Sequence, residues 1–257
     1  MIEPGSECRE PHFVREYTEH TRRLLESSES RKGALQAAVG SATPEEYELV
    51  GRVEMRLLIY AGLQPDNSLV DIGCGSGRLA VQLARWLRGP YLGTDVVQSL
   101  LDEAAQSCNR PDWRFERVCG LTVPADSESV DMACAFSVFT HLRHEESYVY
   151  MRDIYRVLKP GARFVFSYLD YRVPELWRVL EGNIEAIGQE AVLNQFMSTD
   201  TIEVFAQHLG FELTEVRQGD VPFIPLTDRS RGLKRGTDAR SFGQSVAIYR
   251  KSPERAS

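Results

Sequence analysis

Three glycines in five positions, directly after a short apolar run, restrict this chain more than any other feature. The stretch is VDIGCGSGRLA, residues 70 to 80, with Gly73, Gly75 and Gly77. Glycine reaches backbone angles that a Cβ resists, and it leaves the main chain open to close approach. An apolar strand that ends in such a turn and continues as a helix opens a βαβ unit. In open α/β sheets ligands bind at that carboxyl edge. A tight turn without a ligand needs only one or two glycines, so three point to a molecule lying against the backbone.

The flanking pattern continues the alternation. PEEYELVGRVEMRLLIYAG, from Pro44 to Gly62, repeats apolar residues at helical steps behind a Thr43-Pro44 start. Strands are expected at 69–72, 90–94, 113–118 and 130–136, with helices at 79–87, 98–107 and 145–158 between and after them. Lys159-Pro160-Gly161 then turns the chain into RFVFSY. A helix at 201–209 and strands at 211–216 and 245–249 follow. Strands alternating with helices imply a mostly parallel sheet covered on both faces.

Which ligand the turn holds is narrowed by two positions. Arg78 stands where the dinucleotide fingerprint G-x-G-x-x-G wants its last glycine, and no G-x-x-x-x-G-K-[ST] phosphate loop is present. Asp95, in YLGTDVV at the end of the second strand, is placed to accept hydrogen bonds from a ribose diol. A nucleoside with a ribose and no pyrophosphate fits best.

Taken in order, VDIGCGSG, GTDVV, VPADSESVDMACAFSVFTHL and RVLKPGARFVFS resemble the class I S-adenosylmethionine-dependent methyltransferases. The resemblance is strong over about residues 45 to 170 and weaker over the last two strands. It implies a Rossmann-like, seven-stranded, mostly parallel α/β sheet with helices on both faces. Residues 1–45 are then a helical N-terminal lid, 46–251 the methyltransferase domain with substrate-side insertions at 171–198 and 218–243, and 252–257 a tail. It implies S-adenosylmethionine as cofactor and S-adenosylhomocysteine as product. Asp71, Gly73, Cys74, Gly75 and Gly77 would line the methionine and ribose end, and Asp95 would bind the ribose hydroxyls. Val96 would pack on adenine, and Ser137 would sit beside the methyl group. Cys119 stands where many relatives carry an acid at the adenine edge, so the backbone around Gly120 and Leu121 is expected to take its place.

The acceptor side is less patterned. His141 in SVFTHLRHEE lies past the fourth strand, where an imidazole can take a proton. It is equally readable as a capping or packing residue, and His144 is expected to face solvent. Tyr168, Asp170 and Tyr171 after the fifth strand, and Tyr17, His20 and Tyr47 from the N-terminal part, are further acceptor-side candidates. A basic cluster, Arg229, Arg231, Lys234, Arg235 and Arg240, suits either an anionic acceptor or a solvated loop.

Composition separates the function classes. A net charge of −7 over 257 residues disfavours broad electrostatic binding to nucleic acid. The five cysteines are scattered and form no CxxC pair, so no metal site or disulfide framework is expected. The start MIEPGSECREPHFVREYTEH has no basic and apolar leader pattern, and no stretch is apolar enough to span a bilayer, so a cytoplasmic setting is expected. The expected activity is methyl transfer to an oxygen or nitrogen of a small molecule. The rivals are methylation of RNA or protein, and a non-catalytic S-adenosylmethionine-binding sensor or scaffold. The oligomeric state is left open.

Overall fold

The structure is a computed structural model, and it describes residues 10–189, 191–225 and 239–253. Three helices come first: α1 (His12–Ser27), α2 (Arg31–Ala38) and α3 (Pro44–Tyr60). Thr43 caps α3 by accepting from the Glu46 N–H, and Pro44 occupies the first turn, where a missing N–H costs nothing. The alternating core follows as β1 (Leu69–Ile72), α4 (Arg78–Leu83), β2 (Tyr91–Asp95), α5 (Gln98–Cys108), β3 (Arg114–Arg117), β4 (Val130–Ala135), α6 (His144–Val157) and β5 (Leu158–Asp170). Beyond it lie α7 (Trp177–Glu185), β6 (Phe196–Met197), α8 (Thr199–Leu209), β7 (Phe211–Arg217), β8 (Ile224–Pro225), β9 (Ala239–Arg240) and β10 (Ser245–Lys251).

Seven strands form the main path in the order β3-β2-β1-β4-β5-β10-β7. Those from β3 to β5 run parallel, and β10 is antiparallel to both neighbours. Two features exceed the expected seven strands: β6 adds two residues alongside β5, and β8 pairs with β9 in a small separate sheet.

Side-chain alternation along β1 assigns the two faces. Val70 and Ile72 join a core with α6 and α8, and Leu69 joins the other core with α3 and α4. A third cluster seats α2 on α5 through Leu35, Ala38, Val97 and Leu100.

Two local expectations change. The helix after the glycine turn stops at Leu83 rather than Leu87. The chain must turn there, because Arg88 and Gly89 donate their N–H groups to the Pro65 carbonyl and a Cβ at Gly89 would overlap Asn67 backbone. Lys159-Pro160-Gly161 lies inside β5 instead of between elements. The register against β4 jumps from Val130↔Leu158 to Met132↔Arg163, and Gly161 takes φ +79°, so the three residues make a bulge.

Candidate active site

At the carboxyl ends of β1, β2 and β4 the sheet opens into a cavity of about 590 Å³. Its floor is the glycine turn. Gly73, Gly75 and Gly77 all have positive φ, +67°, +56° and +85°. Close packing adds to that demand: a Cβ on Gly73 would lie 2.5 Å from Val138 Cγ2, one on Gly75 would run into Val39 Cγ1, and one on Gly77 would lie 2.9 Å from Ala104. Tyr47 supports the turn from behind, its hydroxyl donating to the Ser76 carbonyl at 2.9 Å.

Asp95 is held by the same turn. Its Oδ2 accepts from the Gly75 N–H and its Oδ1 from the Val97 N–H, both at 3.0 Å. A carboxylate has about four acceptor positions, so each oxygen keeps a lone pair for a hydroxyl. Burial pushes this carboxyl up to about 6, against the pull of the backbone N–H groups. Asp71 lies deeper, accepting from the Tyr91 hydroxyl at 2.7 Å, and burial pushes it up to about 7. Arg78, which sequence reasoning used only to reject a dinucleotide, forms a buried ion pair with Glu54 and donates to the Val39 carbonyl at 2.8 Å. That contact fixes the end of α2 over the turn.

The roof comes from sequence-distant parts: Phe13, Tyr17 and His20 on α1, Val39 and Gly40 after α2, Leu176 and Val179 around α7, and Val192 with Asn194. His141 joins them. It lies in a short 3-10 turn, Phe139–His141, between β4 and α6. Its Nδ1 is 2.8 Å from the Leu193 carbonyl and its Nε2 3.1 Å from the Tyr17 hydroxyl. A carbonyl can only accept, so Nδ1 carries the proton and Nε2 accepts from Tyr17. Burial lowers this imidazole to about 4, leaving it neutral at pH 7. Burial also pushes the Tyr17 phenol well above its usual range.

Of the residues singled out from sequence, Asp71, Gly73, Cys74, Gly75, Asp95, Val96, Gly120, Ser137, His141, Tyr17 and His20 share this cavity wall. Gly77 sits just behind it, at the N-cap of α4. Others are placed elsewhere. Cys119 is exposed and off the wall, and Leu121 packs against the core. Tyr168 is a fully buried core residue, and Asp170 is spent on Arg172 and the Ser245 hydroxyl. Tyr171 is exposed and stacks on Phe196. His144 is half-buried rather than solvent-facing, with Nε2 2.9 Å from the Phe196 carbonyl. Arg240 is exposed on β9, and Arg229, Arg231, Lys234 and Arg235 lie outside the described residues. Gln244, Asn194 and Val179 were missed, since no local pattern marks them.

The glycine cradle, the strand-end carboxylate and the apolar slot of Val96, Leu100 and Val118 fit an adenosyl group without a pyrophosphate. They define a Rossmann-like nucleoside-cofactor domain. Residues 69–161 match the family model described as a methyltransferase domain. Over these residues the chain carries a methyltransferase domain, and its fold is that of the class I S-adenosylmethionine-dependent methyltransferases, whose cofactor is S-adenosylmethionine.

Among curated proteins it is 28% identical over 183 residues to 24-methylenesterol C-methyltransferase 2 of Arabidopsis thaliana, covering 68% of this chain and 49% of that one. It is 27% identical to the O-methyltransferase resE of Aspergillus sclerotiorum, covering 63% and 62%. The chain thus spans about half the length of the first curated relatives it matches. In fold it is similar to magnesium protoporphyrin IX methyltransferase of Synechocystis, whose structure holds S-adenosylhomocysteine. The TM-score is 0.59 at 14% identity, over 91% of this chain and 94% of that one. Among the described residues no helix is long and apolar enough to cross a membrane, and no cluster of His, Cys, Asp and Glu could hold a metal.

Proposed function

We propose that the protein transfers a methyl group from S-adenosylmethionine to an oxygen or nitrogen of a small, largely apolar molecule. The observation that carries this reading is one continuous cavity wall, which joins Asp95 and the glycine turn to a mostly apolar roof from α1, α7 and residues 192–194.

When bound, the donor supplies a methyl carbon already activated by a cationic sulfur. The chain's own residues do the rest. Asp95 accepts from the ribose hydroxyls with its free lone pairs, and Gly73, Cys74, Gly75 and Gly77 let the ligand lie on the backbone. Val96, Leu100 and Val118 enclose adenine, and Ser137 lies toward the methyl end. The N-terminal helices and α7 exclude water and hold the acceptor in line, which is the main demand of such a displacement. His141 receives the proton that an acceptor hydroxyl loses, by way of the Tyr17 hydroxyl that donates to its Nε2. Burial keeps the imidazole neutral at pH 7, so its Nε2 lone pair is open to accept, and the same burial weakens it as a base.

Incubating the protein with methyl-labelled S-adenosylmethionine and, separately, a metabolite extract, RNA and protein tests the reading. Label is expected in extractable small molecules. Label confined to RNA or protein overturns the acceptor class, and donor binding with no labelled product in any arm favours a non-catalytic sensor or scaffold.

A further inference from the structure

Ser137 is one of three non-glycine residues with positive φ among the described residues, at +59°, and it is the one on the cavity wall. A serine in that region costs about 1 kcal/mol or more, and such strain is kept where the surroundings over-determine it. Here they do. The Ser137 N–H donates to Ser167 Oγ at 2.8 Å, and Ser167 Oγ–H donates to Gln244 Oε1 at 2.7 Å. Gln244 Nε2 then donates back to Ser137 Oγ at 3.0 Å, closing a ring between the ends of β4 and β5 and the residue before β10. Thr140 Oγ1 adds a bond to the Ser137 carbonyl.

The ring fixes its own proton directions. Ser167 is fully buried, so its hydroxyl proton must be spent within the ring. That requires the amide oxygen of Gln244 to face it and the nitrogen to face Ser137. Two donors are left over, the Ser137 O–H and the second Gln244 N–H, and both residues line the cavity.

The charges on that wall are committed elsewhere. Arg78 pairs with Glu54, Asp71 takes the Tyr91 hydroxyl, Asp95 belongs to the donor end, and His20 and His141 are both lowered by burial. A pair of unspent donors beside charges already committed complements an oxygen lone pair. It brings no negative charge to an ammonium group, and among the described residues of that wall no cation is free to neutralise a carboxylate.

We propose that Ser137 Oγ and Gln244 Nε2 are the acceptor-recognition pair of this site, and that the acceptor is an uncharged, largely apolar molecule presenting an oxygen to them. The inference rests on the methyltransferase reading and selects oxygen-bearing acceptors within it. Gln244 is a specificity residue by this assignment, and Ser167 is a positioning residue that acts through the other two.

The test uses three probes of similar shape on the full chain with S-adenosylhomocysteine bound: 2-naphthol, naphthalen-2-ylmethylamine in its protonated form, and 2-naphthoate. Affinity is read by calorimetry. The wild type is expected to prefer 2-naphthol at least tenfold over either ion. Gln244→Leu should remove the preference, while Gln244→Glu, which replaces a donor by an acceptor, should turn it toward the ammonium probe. In both variants S-adenosylhomocysteine affinity should stay within about twofold and thermal unfolding should stay cooperative. No preference in the wild type, including binding of none of the probes, overturns the assignment, as does a preference unchanged by both variants. If the wild type fails to bind S-adenosylhomocysteine, the underlying methyltransferase reading fails instead.

Discussion

The two halves of the cavity are built by opposite means. The half proposed to hold the donor is backbone: strand ends, three glycines at positive φ and a carboxylate held by two main-chain N–H groups. The half proposed to hold the acceptor is side chain, drawn from α1, α7, residues 192–194 and Gln244. The first leaves almost no freedom at each position, because any Cβ at Gly73 or Gly75 meets a neighbour. The second is a patchwork in which many residues would serve, so it can change acceptor without disturbing the sheet.

Substitution should expose that difference most sharply at Gly75. Gly75→Ala places a Cβ against Val39 at φ +56°, combining a left-handed penalty of about 1–2 kcal/mol with overpacking of about 1–3 kcal/mol. Loss of more than about 100-fold in S-adenosylhomocysteine affinity is expected, with a clear drop in melting temperature. Adding Val39→Ala should restore part of the melting temperature and little of the affinity, because it relieves the overlap and leaves the backbone angle.

A smaller effect belongs to Asp71, whose carboxyl is raised from 3.8 to about 7 by burial. A raised acid favours its neutral form in the fold. Its contribution to stability is therefore full below about pH 4 and is lost as pH rises through about 7. At about 1.36 kcal/mol per pH interval, the cost between pH 5 and pH 8 reaches about 3 kcal/mol as an upper figure. Asp71→Asn should accordingly stabilise the ligand-free protein at pH 8 and much less at pH 5, measured by denaturant unfolding. A gain that is the same at both pH values would show that Asp71 is not held neutral by its surroundings.

The smallest effect is expected in the roof. Val179→Ala trims an apolar side chain of α7 and should leave S-adenosylhomocysteine affinity within about twofold. A larger loss would mean that the two halves are not separable.

The same contrast explains what could be read before the structure. The glycine turn, Asp95 and the order of the core strands follow from residues close in sequence, so local rules of backbone geometry reach them. The roof depends on meetings between distant residues: Tyr17 with His141, 124 positions apart, and Glu16 with the Leu193 N–H, 177 apart. Nothing local announces either. Tyr168 and Asp170 show the converse failure. Their position after a strand suggested the acceptor side, yet one lies wholly in the core and the other is consumed by Arg172 and Ser245. Gln244 carries no local signal, since the role proposed for it depends on a ring closed through Ser137 and Ser167.

The most direct test of the donor half is calorimetric titration of S-adenosylhomocysteine into the wild type and Asp95→Ala, with unfolding monitored in both. Hydrogen bonds to a charged partner contribute about 1.5–3 kcal/mol each, so losing the pair offered to a ribose should weaken binding by about 100-fold or more. Equal affinity in two folded proteins would contradict the account, because the carboxylate at the end of β2 would then hold no ribose.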